Sequence, residues 1–148
     1  MPAKRNDSIA RRLASQMWGA PDLQRKIANG IWFFSSPSHG GYVVDTNVRP
    51  EIKRYFQAQV IYSNARSARF RISEQHFIAL EEDCDAPVAE WLYPNEIITP
   101  RFQSRYATTQ PFPEWKEERI QILRRSLERW HPEVLKEYPV PGVFEKTN

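Results

Sequence analysis

The segment from Ile31 to Asp45 constrains the fold more than any other part of the chain. Ile31-Trp32-Phe33-Phe34-Ser35 is an apolar, aromatic run, too short for a helix and rich in strand formers. Tyr42-Val43-Val44-Asp45 is a second run of the same kind. Between them, Ser36-Pro37-Ser38-His39-Gly40-Gly41 is turn chemistry from end to end. This arrangement predicts a β-hairpin with a polar tip. Its two apolar strands need cover from the rest of the chain.

The cover is predicted on both sides. Upstream, Ile9, Leu13, Met17 and Trp18 share one helical face, capped at Asp7 or Ser8 and ended by Gly19. A second short helix is predicted from Pro21, with Leu23 and Ile27 inward and Asn29-Gly30 as its stop. Downstream, residues 50–57 read as a short helix, and 59–63, 68–73 and 76–80 as strands. Pro87 opens a helix through Val88, Trp91 and Leu92 that ends at Pro94, and 95–112 reads as a long loop. Pro113 starts the clearest helix. Ile120, Leu123, Leu127 and Trp130 form its core stripe, with glutamates in its first turns and arginines in its last. The expected class is α+β: a small antiparallel sheet of about four or five strands, packed by the 113–130 helix and the N-terminal helices.

Composition limits the function classes. A chain of 148 residues, 41% hydrophobic and 13% aromatic, can bury a real core and does not read as disordered. The organisation expected is a loose basic tail over 1–6, one domain over 7–139 and a flexible tail over 140–148. No apolar run approaches the roughly 18–20 residues that cross a bilayer, and Met1 to Trp18 lacks the apolar stretch of a signal peptide. The single cysteine, Cys84, permits no internal disulfide and fits a reducing cytoplasm. Net charge is +3, but residues 1–74 carry 12 Lys+Arg against 5 Asp+Glu, and residues 75–148 carry 9 against 13. A basic front half can meet phosphates or an acidic protein, or can pair with the acidic back half within one fold.

Two segments carry candidate chemistry. At the hairpin tip, Gly40-Gly41 can supply positive φ and an anion-binding nest of backbone N–H groups, beside Ser38 and His39. An ordinary polar turn fits the same residues equally well. The second segment, Glu81-Glu82-Asp83-Cys84-Asp85, places four carboxylates in five positions, which suits acid–base work, a solvated surface or a helix cap at Asp83 or Asp85. Negative neighbours make Cys84 a poor thiolate. His39, His76, Asp83, Cys84 and His131 are ligand types without a metal-site spacing, so no metal and no cofactor is expected. No Walker loop, dinucleotide fingerprint or nucleophile elbow occurs.

Three motifs in order resemble an uncharacterised domain of bacterial and phage proteins. They are Trp32 to Gly41 (W-x-x-S-x-x-S-H-G-G), Glu81 to Cys84 (E-E-D-C) with Trp91, and Trp130-His131-Pro132 (W-H-P). Leu80 stands where that pattern has an aromatic residue, and Ala86 where it has tryptophan. The resemblance implies a phage or mobile-element context and a gathering of Ser38, His39, Glu82, Asp83 and His131. It assigns no activity. Three functions are expected from these features. The first is an accessory protein that binds a host protein or small signalling molecule to counter a defence system. The second is a hydrolase or transferase on a phosphorylated or nucleotide-like substrate, with His39 as acid or base and Glu82 or Asp83 orienting it. The third is a nucleic-acid-binding module using Arg5, Arg11, Arg12, Arg49, Lys53, Arg54, Arg66, Arg69 and Arg71. Ser38, Gly40, Gly41, Trp32 and His131 are the candidate ligand-binding residues, and no membrane partner is expected.

Overall fold

The computed structural model describes residues 2–57, 61–62, 71–73, 76–105 and 111–144. They gather into two compact units, one up to Glu82 and one from Asp83 onward.

The first unit is a helix on an antiparallel sheet. Helix α1 spans Pro2–Trp18. It is followed by β1 (Leu23–Ala28), β2 (Ile31–Ser35), β3 (Gly40–Asp45) and a short 3-10 helix at Pro50–Arg54. Then come β4 (Ile61–Tyr62), β5 (Arg71–Ser73) and β6 (Phe77–Glu81). The main sheet has the order β1-β2-β3-β6, and β4 and β5 form a separate pair. The α+β class and the 31–45 hairpin are as the sequence predicts. The remaining positions of the strands expected at 59–63 and 68–73 lie outside the described residues.

Strand alternation sorts the sheet into two faces. Trp32, Phe34, Val43 and Phe77 pack against Ile9, Ala10, Leu13, Ala14 and Trp18 of α1 in one buried cluster. Ile31, Tyr42, Val44, Ile78 and Leu80 belong to the opposite face and are also buried. Met17, expected in the core, is 43% exposed, because Trp18 fills the last turn's share of the interface.

The helix expected from Pro21 is instead strand β1. Asn29-Gly30 is a two-residue hairpin turn that brings Ala28 opposite Ile31, with Gly30 at φ +80°. The same dipeptide serves as a helix stop or a hairpin turn, and the neighbouring strand decides. As a sheet edge, β1 leaves Leu23 exposed rather than buried. Helix α1 likewise starts earlier than the Asp7 or Ser8 cap predicts, so Asp7 stands within the helix.

The second unit is helical: α2 (Ala86–Leu92), α3 (Pro94–Arg105), α4 (Phe112–Trp130) and α5 (Pro132–Glu137). Every residue of α2 is buried. The indole of Trp91 donates to Tyr138 O at 2.8 Å, and Gly142 N donates to Trp91 O at 2.9 Å. The loop expected at 95–112 is largely α3. Pro94 presets the first turn, and Ile97 and Ile98 are buried, although Pro100 removes one ladder donor. The rest of that expected loop, 106–110, lies outside the described residues. Helix α4 matches its prediction except at Ile120, which is only half-buried, and at Trp130. That residue is 50% exposed and lies under the Arg129 guanidinium at 4.9 Å, past the end of the stripe formed by Trp115, Leu123 and Leu127. Among the described residues, no helix is long and apolar enough to cross a membrane.

Candidate functional site: a basic cleft between the first helix and the edge strand

In the first unit, a cleft of about 360 Å³ opens between the N-terminal half of α1 and strands β1 and β2. Asp7, Ser8 and Arg11 line it from the helix, Gln24, Arg25 and Lys26 from β1, and Trp32 and Phe34 from β2. The register explains the wall. Gln24 lies opposite Phe34, and Lys26 opposite Trp32, so each polar edge residue shares a face with a core aromatic. Asp7 and Arg11 are four apart on α1 and project from one helix face.

Asp7 organises the interior. Its Oδ1 accepts the indole N–H of Trp32 at 2.8 Å, and Lys26 Nζ lies 3.7 Å from the same oxygen. Lys26 also stands 5.7 Å from the Trp32 ring centre. Both rings at the base are buried, Trp32 at 5% and Phe34 at 2% exposure. Two cations, Arg11 and Lys26, therefore face one carboxylate, an excess of +1 along the lining, while Arg25, opposite Phe33, projects from the other face of the sheet. The unit as a whole carries 12 Lys+Arg against 7 Asp+Glu through Glu82, or +5. An apolar base with cations at the rim is suited to a small anionic molecule with an organic body.

The hairpin tip lies at the other end of α1, about 10 Å further along the helix axis from Arg11. Ser36 fastens it. Its Oγ donates to Trp18 O at 2.8 Å, with His39 O a second acceptor at 3.0 Å, and accepts from His39 N at 3.3 Å. Ser38 and His39 are exposed. The carboxylate facing His39 is Glu81, with Nδ1 to Oε1 at 3.6 Å, while Glu82 contributes its backbone N–H to Gly40 O at 2.9 Å. The positive φ expected at Gly40-Gly41 occurs instead at Gly19, Gly30 and Gly142. Gly40 and Gly41 begin strand β3, where a Cβ on Gly41 would collide with the carbonyl oxygen of Leu80. Close strand packing, not a left-handed turn, explains these glycines.

Asp83 and His131 belong to the second unit. His131, between α4 and α5, places Nε2 at 2.8 Å from Asp85 Oδ1 and Nδ1 at 3.3 Å from Glu133 Oε1. Asp85 occupies the cap position of α2, but its side chain makes no cap bond. A neutral imidazole donates to one of these carboxylates at a time, and an imidazolium to both. Cys84 is half-buried in the turn before α2. Among the described residues, no group of three His, Cys, Asp or Glu is placed to hold a metal ion.

Of the described residues singled out from sequence for binding or catalysis, Trp32 and Arg11 lie in the cleft. Asp7, Ser8, Gln24, Arg25 and Lys26 were not legible as site residues, because reading 21–29 as a helix hides the face that Gln24 and Lys26 share with Trp32. The usable signal was Asn29-Gly30 followed by an aromatic strand.

No curated protein and no solved structure matches this chain. A family model described as a domain of unknown function, DUF7007, matches residues 11–139, which include most of the cleft and all four helices of the second unit. The chain belongs to the DUF7007 family.

Proposed function

We propose that this chain acts by binding, and that its ligand is a small anionic molecule held in the cleft between α1 and β1. The observation that carries this reading is the lining: Arg11 and Lys26 against the single carboxylate of Asp7, over the buried rings of Trp32 and Phe34. The field of a unit at +5 also speeds the approach of an anion. Binding is favoured over catalysis by the state of the two best-placed histidines. His39 and Glu81 are exposed and 3.6 Å apart, without the desolvation that tunes an acid–base pair. Both ring nitrogens of His131 already face carboxylates.

The resemblance to phage and bacterial domains supports a role as a small accessory protein that sequesters a host signalling molecule and so counters a defence system. A host protein as partner, and nucleic acid as partner, are the competing readings. For the latter, Arg66 and Arg69 lie outside the described residues.

Thermal unfolding with a panel of small anions and their uncharged analogues tests the proposal. The anions should raise the midpoint, less so at high salt, and the neutral analogues should leave it unchanged. Equal stabilisation by charged and uncharged analogues would contradict it.

A further inference from the structure

Resting on that binding reading, we infer that the cleft takes an organic phosphate of about mononucleotide size, with its phosphate on Arg11 and Lys26. Size is the first argument. A space of about 360 Å³ corresponds to about a dozen waters at roughly 30 Å³ each. A bare inorganic anion would leave most of it filled with solvent, whereas a phosphorylated nucleoside fills it. The volume also falls at the lower end of the roughly 300–1,000 Å³ of small-molecule sites.

Charge is the second argument. Arg11 and Lys26 present two cations to a phosphomonoester, which carries about −1.5 to −2 at neutral pH. Arg11 offers a planar fork of N–H donors suited to two phosphate oxygens, and Lys26 offers an ammonium to the third. Asp7 holds Lys26 at the Trp32 edge of the cleft, 3.7 Å from its own Oδ1.

The third argument is the remaining polar set. Ser8 and Gln24 carry neutral donors and acceptors on opposite walls of the cleft, one from α1 and one from β1. They suit the hydroxyls and ring edges of a nucleoside, groups that a bare phosphate lacks.

Calorimetric titration of the full chain tests this with AMP, UMP, adenosine, inorganic phosphate and citrate. AMP or UMP should bind, with adenosine, inorganic phosphate and citrate each weaker by about tenfold or more. Arg11→Gln and Lys26→Gln should each weaken the nucleotide by about tenfold or more, and Arg12→Gln, on the same helix outside the cleft, should not. Circular dichroism of each variant confirms that it is folded. If inorganic phosphate or citrate binds as tightly as AMP and UMP, the organic-phosphate inference fails while the small-anion reading stands. If adenosine equals AMP, both fail. A folded protein that binds neither nucleotide overturns the inference.

Discussion

The indole N–H of Trp32 donates to Asp7 Oδ1 at 2.8 Å, joining strand β2 to helix α1 across 25 positions of sequence. Trp32 is 5% exposed, so without this acceptor its N–H would be buried and unsatisfied. Asp7→Ala should cost about 1–3 kcal/mol, the range for orphaning a buried donor. Asp7→Asn, which keeps a carbonyl oxygen, should recover much of that. Chemical denaturation measures both, and an Asp7→Ala protein as stable as the parent would refute the role given to this contact.

Gly41 and Gly19 should respond differently to alanine. A Cβ at Gly41 meets the backbone carbonyl of Leu80 and the Trp18 ring, and the backbone has little room to yield. At Gly19 the space is open and the cost is only the left-handed φ of +85°. Gly41→Ala should lose about 3 kcal/mol, the upper end for overpacking, and Gly19→Ala about 1–2 kcal/mol. Thermal midpoints in the reverse order would contradict the packing reading of the Gly40-Gly41 pair.

In the second unit, Arg119 Nη2 donates to Glu90 Oε2 at 2.6 Å, and the Glu90 side chain is 2% exposed. Glu90→Ala strands the guanidinium beside a fully buried helix. The expected loss is near the lower end of the 3–5 kcal/mol range for breaking a buried pair, about 3 kcal/mol, since the Arg119 side chain is 26% exposed. Replacing both by Leu and Met should restore most of it. Equal damage from the single and double variants would contradict the cost assigned to stranding the guanidinium.

His131 links Asp85, at the start of α2, to Glu133, in the first turn of α5. His131→Ala should speed amide exchange at Val88, whose N–H bonds to Asp85 O, while leaving Val43 and Ile78 in the sheet unchanged. Uniform acceleration across both units would show a global effect instead of a local clamp.

The sequence was most legible where pattern and burial coincide. The aromatic runs at 31–35 and 42–45 and the Leu123–Leu127 stripe are periodic signals that tertiary structure uses directly. Two segments misled for physical reasons. Pro100 and its polar neighbours hide α3, which the burial of Ile97 and Ile98 explains. Asn29-Gly30 serves either a helix end or a hairpin, and only the pairing of β1 with β2 selects one. The cleft followed that error: its residues at 7–11, 24–26 and 32–34 become neighbours only when β1 is a strand.

The most direct test of the cleft is the indole N–H signal of Trp32, assigned with Trp32→Phe in a ¹⁵N-labelled sample and followed as AMP is added. Trp32 Nε1 is hydrogen-bonded inside the cleft and should report its occupation. The account predicts a saturable shift of this resonance, with accompanying shifts at Arg11 and Lys26 and none at His39 or Gly41. A silent Trp32 signal, or shifts centred on the hairpin tip, would contradict it.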